Sequence, residues 1–279
     1  MKLIKVISIA LILLLKFQVV SSQDNRPGPR SAPETNEQFK LGIAGYTFLK
    51  IDLIKALETM ERADVHYLCI KDFYLPLNST DDQIALFKAR LKSKNVIGYA
   101  VGPIYMKSAE EISRAFEYAK RVGVKLIIGV PEIELLPIVE EKVKEYGITY
   151  AIHLHGPDIK IFADADEVWS HVRNLDSRIG MCLDIGHDTR NGKDPVEDLK
   201  KYHSRVFDIH LKDVTGNTKL GYSLEIGRGI INFPQFVKML RKVGYNGVCS
   251  LEHEKDMTDP YMGIAESVGY FRGVIEATK

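Results

Sequence analysis

Ligand-type side chains end four consecutive apolar runs in the second half of the chain. The runs are ITYAIHLHG, RIGMCLDIGHD, RVFDIHLKD and GVCSLEHE. Carboxylates and imidazoles at the carboxyl ends of successive buried strands are what a metal site at the mouth of a β/α barrel requires. So many ionisable groups at one barrel end cost desolvation and mutual repulsion unless a cation compensates them. The pattern therefore predicts a divalent metal site.

Alternation along each strand selects the side chains that face the barrel mouth, because residues two apart share a face. The sets that share a face are His153 with His155, Asp208 with His210 and Lys212, and Glu252 with Glu254. Asp184 ends its strand, and we expect His187 in the loop that follows. Tyr46, at the end of the first run, also faces the mouth, where it could pack against a sugar ring or fill the core.

Eight apolar runs alternate with amphipathic segments along the chain. The runs cover 40–48, 65–73, 95–104, 124–132, 148–156, 178–186, 205–213 and 247–254. The segments between them place apolar residues at helical spacing, with Ser108 and Asn232 as predicted N-caps and Gly123 and Gly147 as predicted ends. This order predicts an α/β fold, a single-domain (β/α)8 TIM barrel over residues 39–279. A doubly wound open sheet would carry a Gly-rich phosphate fingerprint after its first strand, and IAGYTFLK has none.

The amino terminus differs from the rest of the chain. A basic start, an apolar stretch and small residues before Gln23 predict a signal peptide over residues 1–22 and a flexible leader over residues 23–38. A membrane anchor is the alternative, but the stretch is short for a bilayer span and Lys16 interrupts it. We therefore expect an exported protein, periplasmic or secreted, whose mature form has no membrane segment.

Charge and cysteine content narrow the class of protein. The 279 residues carry 38 basic and 37 acidic side chains, for a net charge of +1, and both signs are interspersed. No basic tract stands out, so we expect no nucleic-acid partner. Cys69, Cys182 and Cys249 each lie inside an apolar run, which predicts buried core residues rather than a disulfide framework.

The chain resembles the xylose-isomerase-like TIM barrels, often called the sugar phosphate isomerase/epimerase family. The resemblance spans roughly residues 40–275 and is strongest in LDIGHDTRNGKDP, DIHLKD and SLEHE. It implies that Asp184, His210 and Glu252 are three of four ligands of one divalent metal ion. It also implies that His155 and His187 face the substrate, and that homo-oligomers occur among members of the family.

The fourth ligand is where the sequence departs from the family. Members usually carry Glu at the end of strand five, whereas this chain has His153 there. Either His153 binds the metal itself, or Glu132 at the end of strand four supplies the missing carboxylate. The strand position favours His153. Two imidazoles shift the metal preference from Mg²⁺ toward Mn²⁺, Zn²⁺, Fe²⁺ or Co²⁺.

The resemblance implies proton abstraction next to a carbonyl through an enediolate. We expect Glu252 to be the base, with His187, His155 and Lys212 giving acid or oxyanion assistance. The expected substrate contacts are Tyr46, His155, His187, Lys212 and Glu254. The predicted function is a sugar isomerase or epimerase acting on an unphosphorylated small-molecule carbohydrate, such as a sugar or keto-sugar. The alternatives are a lyase or deglycosidase that cleaves keto-glycosides by β-elimination, and a non-catalytic sugar-binding barrel.

Overall fold

Parallel strands and flanking helices build the part of the chain that the computed structural model describes, residues 37–279. The strands are β1 (Lys40–Ala44), β2 (Tyr67–Ile70), β3 (Ile97–Met106), β4 (Leu126–Pro131), β5 (Thr149–His153), β6 (Ile179–Asp184), β7 (Val206–Leu211), β8 (Asp213–Val214), β9 (Ser223–Leu224) and β10 (Val248–Leu251). Seven of the eight predicted runs contain one of the longer strands, and β3 extends two residues beyond the run at 95–104.

Eight of these strands close into a barrel in the order β1-β10-β7-β6-β5-β4-β3-β2, with parallel pairing throughout. The predicted (β/α)8 fold is thereby confirmed. The two-residue strands β8 and β9 form a separate antiparallel pair in the excursion after β7. Strands this short carry no measurable hydrophobic period, so sequence patterns do not predict them.

The helices are α1 (Leu53–Ala63), α2 (Asp81–Ser93), α3 (Ala109–Val122), α4 (Leu136–Tyr146), α5 (Ala165–Val172), α6 (Ile185–Arg190), α7 (Pro195–Tyr202), α8 (Phe233–Lys242) and α9 (Tyr261–Ala277). Eight of them occupy the predicted amphipathic segments. The predicted caps are confirmed at Ser108 and Asn232, whose side chains accept backbone N–H groups. Gly123 and Gly147 end α3 and α4 in the left-handed conformation that glycine adopts at low cost.

Helix α6 corrects one expectation, because it contains His187, which the sequence placed in a loop. The Oδ1 atom of Asp184 accepts the N–H groups of Gly186 at 3.0 Å and His187 at 2.8 Å. This cap starts a helix directly at the end of β6 and satisfies two backbone donors that would otherwise lack partners. The helix spans only six residues, which is too short to show a hydrophobic period.

A cluster of mostly small side chains lies in the barrel interior. Cys69, Ala100, Ile128, Ala151 and Cys182 form one fully buried cluster there. The prediction that the three cysteines are buried is confirmed, and all three are free thiols. Side chains two residues apart on a strand share a face, so a residue two positions after a member of this cluster on the same strand also points into the barrel.

The predicted signal peptide and nearly all of the predicted leader lie outside the described residues. Residues 37–279 belong to one compact unit. Among the helices of residues 37–279, none combines the length and the apolar character that crossing a bilayer needs.

Candidate active site

Four strand ends meet on one side of the barrel mouth. His153 ends β5, Asp184 ends β6, His210 lies in β7, and Glu252 directly follows β10. The strand register sets Asp184 opposite His210, and His210 opposite Ser250, two residues before Glu252. Residues far apart in sequence therefore converge, as the sequence predicted.

The ligand-type atoms of these four buried residues all lie within 4.8 Å of one another. The Nε2 atom of His153 is 3.0 Å from Nδ1 of His210 and 3.8 Å from Oδ2 of Asp184. The same Nδ1 atom is 3.3 Å from Oε2 of Glu252 and 3.8 Å from Oδ2 of Asp184. Tetrahedral ligands at the usual zinc distances of about 2.0–2.2 Å are separated by about 3.3–3.6 Å. The four atoms are therefore spaced to hold one metal ion.

The chemistry of the donor set fits a divalent ion as well. Within residues 37–279, no hydrogen bond reaches the Oδ2 atom of Asp184, although this carboxylate is completely buried. The nearest cationic group is the Lys212 ammonium, whose Nζ atom lies 3.3 Å from this oxygen. A divalent ion held by the four residues would further offset the cost of burying the carboxylate. Two carboxylates balance a charge of +2, and two imidazoles favour Mn²⁺, Zn²⁺, Fe²⁺ or Co²⁺ over Mg²⁺.

Glu132, the alternative fourth ligand, lies after β4 at the start of a short 3-10 turn. Its backbone N–H group donates to the carbonyl of Met106 at 3.1 Å. In the part of the chain that the structure describes, the group of converging ligand atoms contains His153 and not Glu132. This geometry favours His153 as the fourth ligand.

Lys212 is the charged residue that most strongly shapes the site, and its side chain is almost fully buried. Its Nζ atom lies 2.9 Å from Oε2 of Glu252, 3.1 Å from Oε1 of Glu254 and 3.3 Å from Oδ2 of Asp184. It also lies 3.3 Å from Nε2 of His187. The ammonium group therefore contacts the same carboxylate oxygens that face the metal position.

A buried carboxylate lies behind His210. The Oδ2 atom of Asp208 is 3.5 Å from Nε2 of His210, on the far side of the ring from the other ligands. Tyr99 donates to Asp208 at 3.0 Å, and the thiol of Cys182 donates to it at 3.6 Å. Within residues 37–279, Nε2 of His210 has no hydrogen-bond partner, so Asp208 acts on the ring through its charge, while Nδ1 faces Glu252.

Burial and neighbouring charges set the protonation states. Burial raises the pKa of Asp184 to about 7, although Lys212 opposes the shift. Burial lowers the pKa of His155 to about 4 and that of His187 well below its usual value, so both rings are neutral at pH 7. For His210, Glu252 and its other carboxylate neighbours outweigh burial and raise the pKa to about 9.

A cavity of about 360 Å³ opens above these candidate ligands. Its walls comprise Tyr46, Lys71, Pro103, Tyr105, His153, His155, Asp158, Ile159, His187, Glu252 and Glu254. Four of the five predicted substrate contacts line it: Tyr46, His155, His187 and Glu254. Lys212, the fifth, lies beneath the cavity, where it holds Glu252 and Glu254 in place.

Sequence reasoning did not single out Lys71, Tyr105 or Asp158. The hydroxyl group of Tyr105 lies 2.8 Å from Nε2 of His155, and Asp158 pairs with Arg190. Lys71 and Tyr105 lie at or near the carboxyl ends of β2 and β3, so their position beside the ends of those strands was an available signal. It was weak, because single polar residues at strand ends are common.

The sequence also matches a family model. Residues 75–274 match the model of the xylose isomerase-like TIM barrel. The chain belongs to the xylose isomerase-like TIM barrel family. This match confirms the family resemblance that the sequence motifs indicated.

Several relatives of the chain are enzymes by name. It is 24% identical over 236 residues to inosose isomerase of Halalkalibacterium halodurans, which covers 72% of this chain and 82% of the relative. It is 28% identical over 132 residues to the rhizopine catabolism protein MocC of Rhizobium meliloti, covering 42% of this chain and 40% of that protein. An inosose dehydratase of Clostridium botulinum is 31% identical over 129 residues, covering 40% and 42%. The chain thus spans about two fifths of the length of the last two relatives.

Solved structures share the barrel. An uncharacterized protein from Parabacteroides distasonis has a TM-score of 0.67 and 26% identity, covering 85% of this chain and 99% of its own. The IOLI protein, solved with a zinc atom bound, has a TM-score of 0.72 and 18% identity, covering 86% and 99%. At that identity the second likeness concerns the fold alone.

Proposed function

We propose that this xylose isomerase-like barrel is a divalent-metal-dependent enzyme that removes the proton next to the carbonyl of an unphosphorylated sugar or keto-sugar. One observation carries the proposal: His153, Asp184, His210 and Glu252 converge at the floor of a cavity that neutral histidines also line. The names of the inosose isomerase and dehydratase relatives support a sugar-like ketone as the substrate class.

The protonation states of the residues assign them different roles in the reaction. A bound divalent ion would polarise the carbonyl group and offset negative charge that develops on its oxygen. Glu252 lines the cavity, and Lys212 and His210 hold its pKa well below the usual value against the effect of burial, so it is ionised and can accept a proton. His155 and His187 are neutral, so their N–H groups can donate to substrate oxygens.

Two outcomes follow from the same first step. In the first outcome the proton returns to the former carbonyl carbon, and the hydroxyl proton of the neighbouring carbon passes to the former carbonyl oxygen, which isomerises the sugar. In the second outcome the C–O bond one carbon further breaks, the leaving oxygen takes a proton, and an unsaturated ketone remains. Symmetric two-base epimerisation needs a base on each face of the substrate, and His153 occupies the strand-five position where the family carries its second glutamate. We therefore favour isomerisation, with elimination as the alternative.

The substrate that we propose is unphosphorylated. A phosphate group needs cationic partners, and the cations nearest the cavity already have acidic ones. Lys71 pairs with Asp72 at 3.3 Å, and Arg190 pairs with Asp158. Export of the chain, which the amino-terminal sequence predicts, agrees with such a substrate and would place the reaction in the periplasm or outside the cell.

The test is proton exchange with solvent. The full chain, loaded with Mn²⁺ or Zn²⁺, is incubated in D₂O with an inosose and with unphosphorylated ketohexoses, and proton NMR follows the signal next to the ketone. We expect metal-dependent loss of that signal, slowed at least about a hundredfold in Glu252→Gln, which cannot accept the proton. His203→Asn, on the surface and away from the cavity, serves as the control and keeps the wild-type rate.

A non-catalytic sugar-binding barrel is the competing function. It predicts sugar binding without exchange from any ketone tested, whether or not metal is bound. Exchange that persists after the metal is removed would instead contradict the metal dependence and leave proton abstraction by the side chains alone.

A further inference from the structure

A second cavity adjoins the one above the metal ligands. It measures about 220 Å³ and shares Lys71, Pro103 and Tyr105 in its walls with the first cavity. Small-molecule sites commonly measure about 300–1,000 Å³, so the first cavity alone lies near the lower end of that range. The two cavities together have room for a ligand with two parts.

The lining of the second cavity suits a sugar ring. Ile104 and Met106 are buried and give an apolar floor, with Leu77 beside them. Asp72 and Arg114 stand at its edge with side chains about half exposed. A pyranose combines apolar C–H faces with outward hydroxyl groups, and an apolar floor inside a charged rim matches both. A purely apolar partner would leave the charged rim without hydrogen-bonding groups to contact.

Tyr105 and Lys71 mark the boundary between the two cavities. The Tyr105 hydroxyl group contacts His155 on the metal side, while more than half of the residue is exposed. The Lys71 ammonium group donates to the carbonyl of Pro103 at 2.6 Å, which fixes it in the shared wall. An aromatic ring and a fixed donor at this point are suited to hold a linkage between two rings.

We propose that this second cavity is a second sugar subsite, so that the chain binds a glycoside of two sugar units with the reacting unit over the metal ligands. The assignment of the reacting unit rests on the proposed function. With such a ligand, the elimination outcome would expel the unit in the second subsite, with its oxygen taking a proton as described above.

The experiment compares sugars of one and two units on the full, metal-loaded chain. Maltose, cellobiose and lactose are titrated against glucose by calorimetry and by saturation-transfer NMR. We expect at least one disaccharide to bind about tenfold more tightly than glucose, because one or two extra net hydrogen bonds have that effect. Saturation transfer should reach both of its rings.

Leu77→Trp fills the second cavity, and Leu86→Trp, at an exposed position of α2, introduces the same side chain elsewhere. Leu77→Trp should remove the disaccharide advantage without changing glucose affinity, and Leu86→Trp should change neither. The subsite is overturned if no disaccharide exceeds glucose, or if Leu77→Trp weakens both sugars equally. Disaccharide preference without proton exchange from any ketone would keep the subsite and refute the proposed function, so the two failures are distinguishable.

Discussion

Replacing Lys212 with methionine should destabilise the metal-free protein and at the same time strengthen metal binding. The Lys212 ammonium group contacts Asp184, Glu252 and Glu254 at 3.3, 2.9 and 3.1 Å. The β-, γ- and δ-carbons of its stem pack so closely against Gly186 that a methyl group there would lie within 3 Å of them. Methionine keeps an unbranched apolar stem of similar length and removes the charge.

The two effects have opposite signs because the ammonium group and the metal ion compete for the same oxygens. Removing one partner of a buried ion pair leaves uncompensated charge and costs about 3–5 kcal/mol, so the metal-free variant should lose about that much stability. Two unit charges 4 Å apart interact by about 1 kcal/mol in water and about 4 kcal/mol at an effective dielectric constant of 20. Even the smaller figure, doubled for a divalent ion, corresponds to more than about tenfold tighter metal binding.

The assay begins with urea unfolding of the metal-free variant, followed by chelator competition for Zn²⁺ and Mn²⁺. The matched control is Lys255→Met, which removes another lysine three residues after Glu252. Lys255 pairs with Glu225 at 2.8 Å, outside the ligand group. The control should leave metal affinity unchanged. Metal affinity that stays equal or falls in a folded Lys212→Met variant would refute this account of the site.

Three further predictions concern the same region. Elemental analysis should find about one equivalent of transition metal in the wild-type chain and none in Asp184→Ala or His210→Ala. Loss of the metal in His153→Ala but not in Glu132→Ala would identify His153 as the fourth ligand. The pKa of His210 is raised to about 9, so metal binding must displace its proton, and metal affinity should fall by about tenfold per pH unit below that value. Calorimetry in buffers of different ionisation enthalpy counts the protons released. A metal affinity that does not change with pH would contradict this prediction. Burial and the charge of Asp198 raise the pKa of Asp188 well above its usual value, so its contribution to stability is complete below the unfolded pKa and is lost as the pH rises through the folded one. Asp188→Asn cannot ionise, so its unfolding free energy should exceed that of the wild-type chain by a margin that grows from pH 5 to pH 8; a constant margin would contradict the assignment.

Local patterns in the sequence were enough for the architecture and for three of the candidate ligands. Alternating apolar runs and helical segments with capping residues indicated eight strand–helix units, since both periods are properties of neighbouring residues. Asp184, His210 and Glu252 followed from residue type at strand ends combined with the family motifs. In a barrel every such end lies on one rim, so convergence could be expected before any distance was known.

Other features of the site depend on which side chains meet across strands. The order of the barrel brings His153 beside His210, whereas Glu132 follows a different strand. The distance of either residue from His210 cannot be read from the spacing of residues along the chain. The sequence grouped Asp208 and Lys212 with His210 on one face. It did not show that one lies behind the His210 ring and the other lies among three carboxylates.

The same holds for the cavities, whose walls combine the ends of β2 and β3 with residues from five other segments. No pattern in the sequence distinguished Lys71 or Tyr105. Each is assigned a role only because of the groups that face it across the cavities. The sequence by itself determined the eight strand–helix units and the chemical types at the strand ends, because these depend on neighbours in the chain. Only the tertiary structure decided the partners, the burial and the charge balance, because these depend on contacts between residues far apart in the chain, such as Thr47 with the carbonyl of Leu251, 204 positions away.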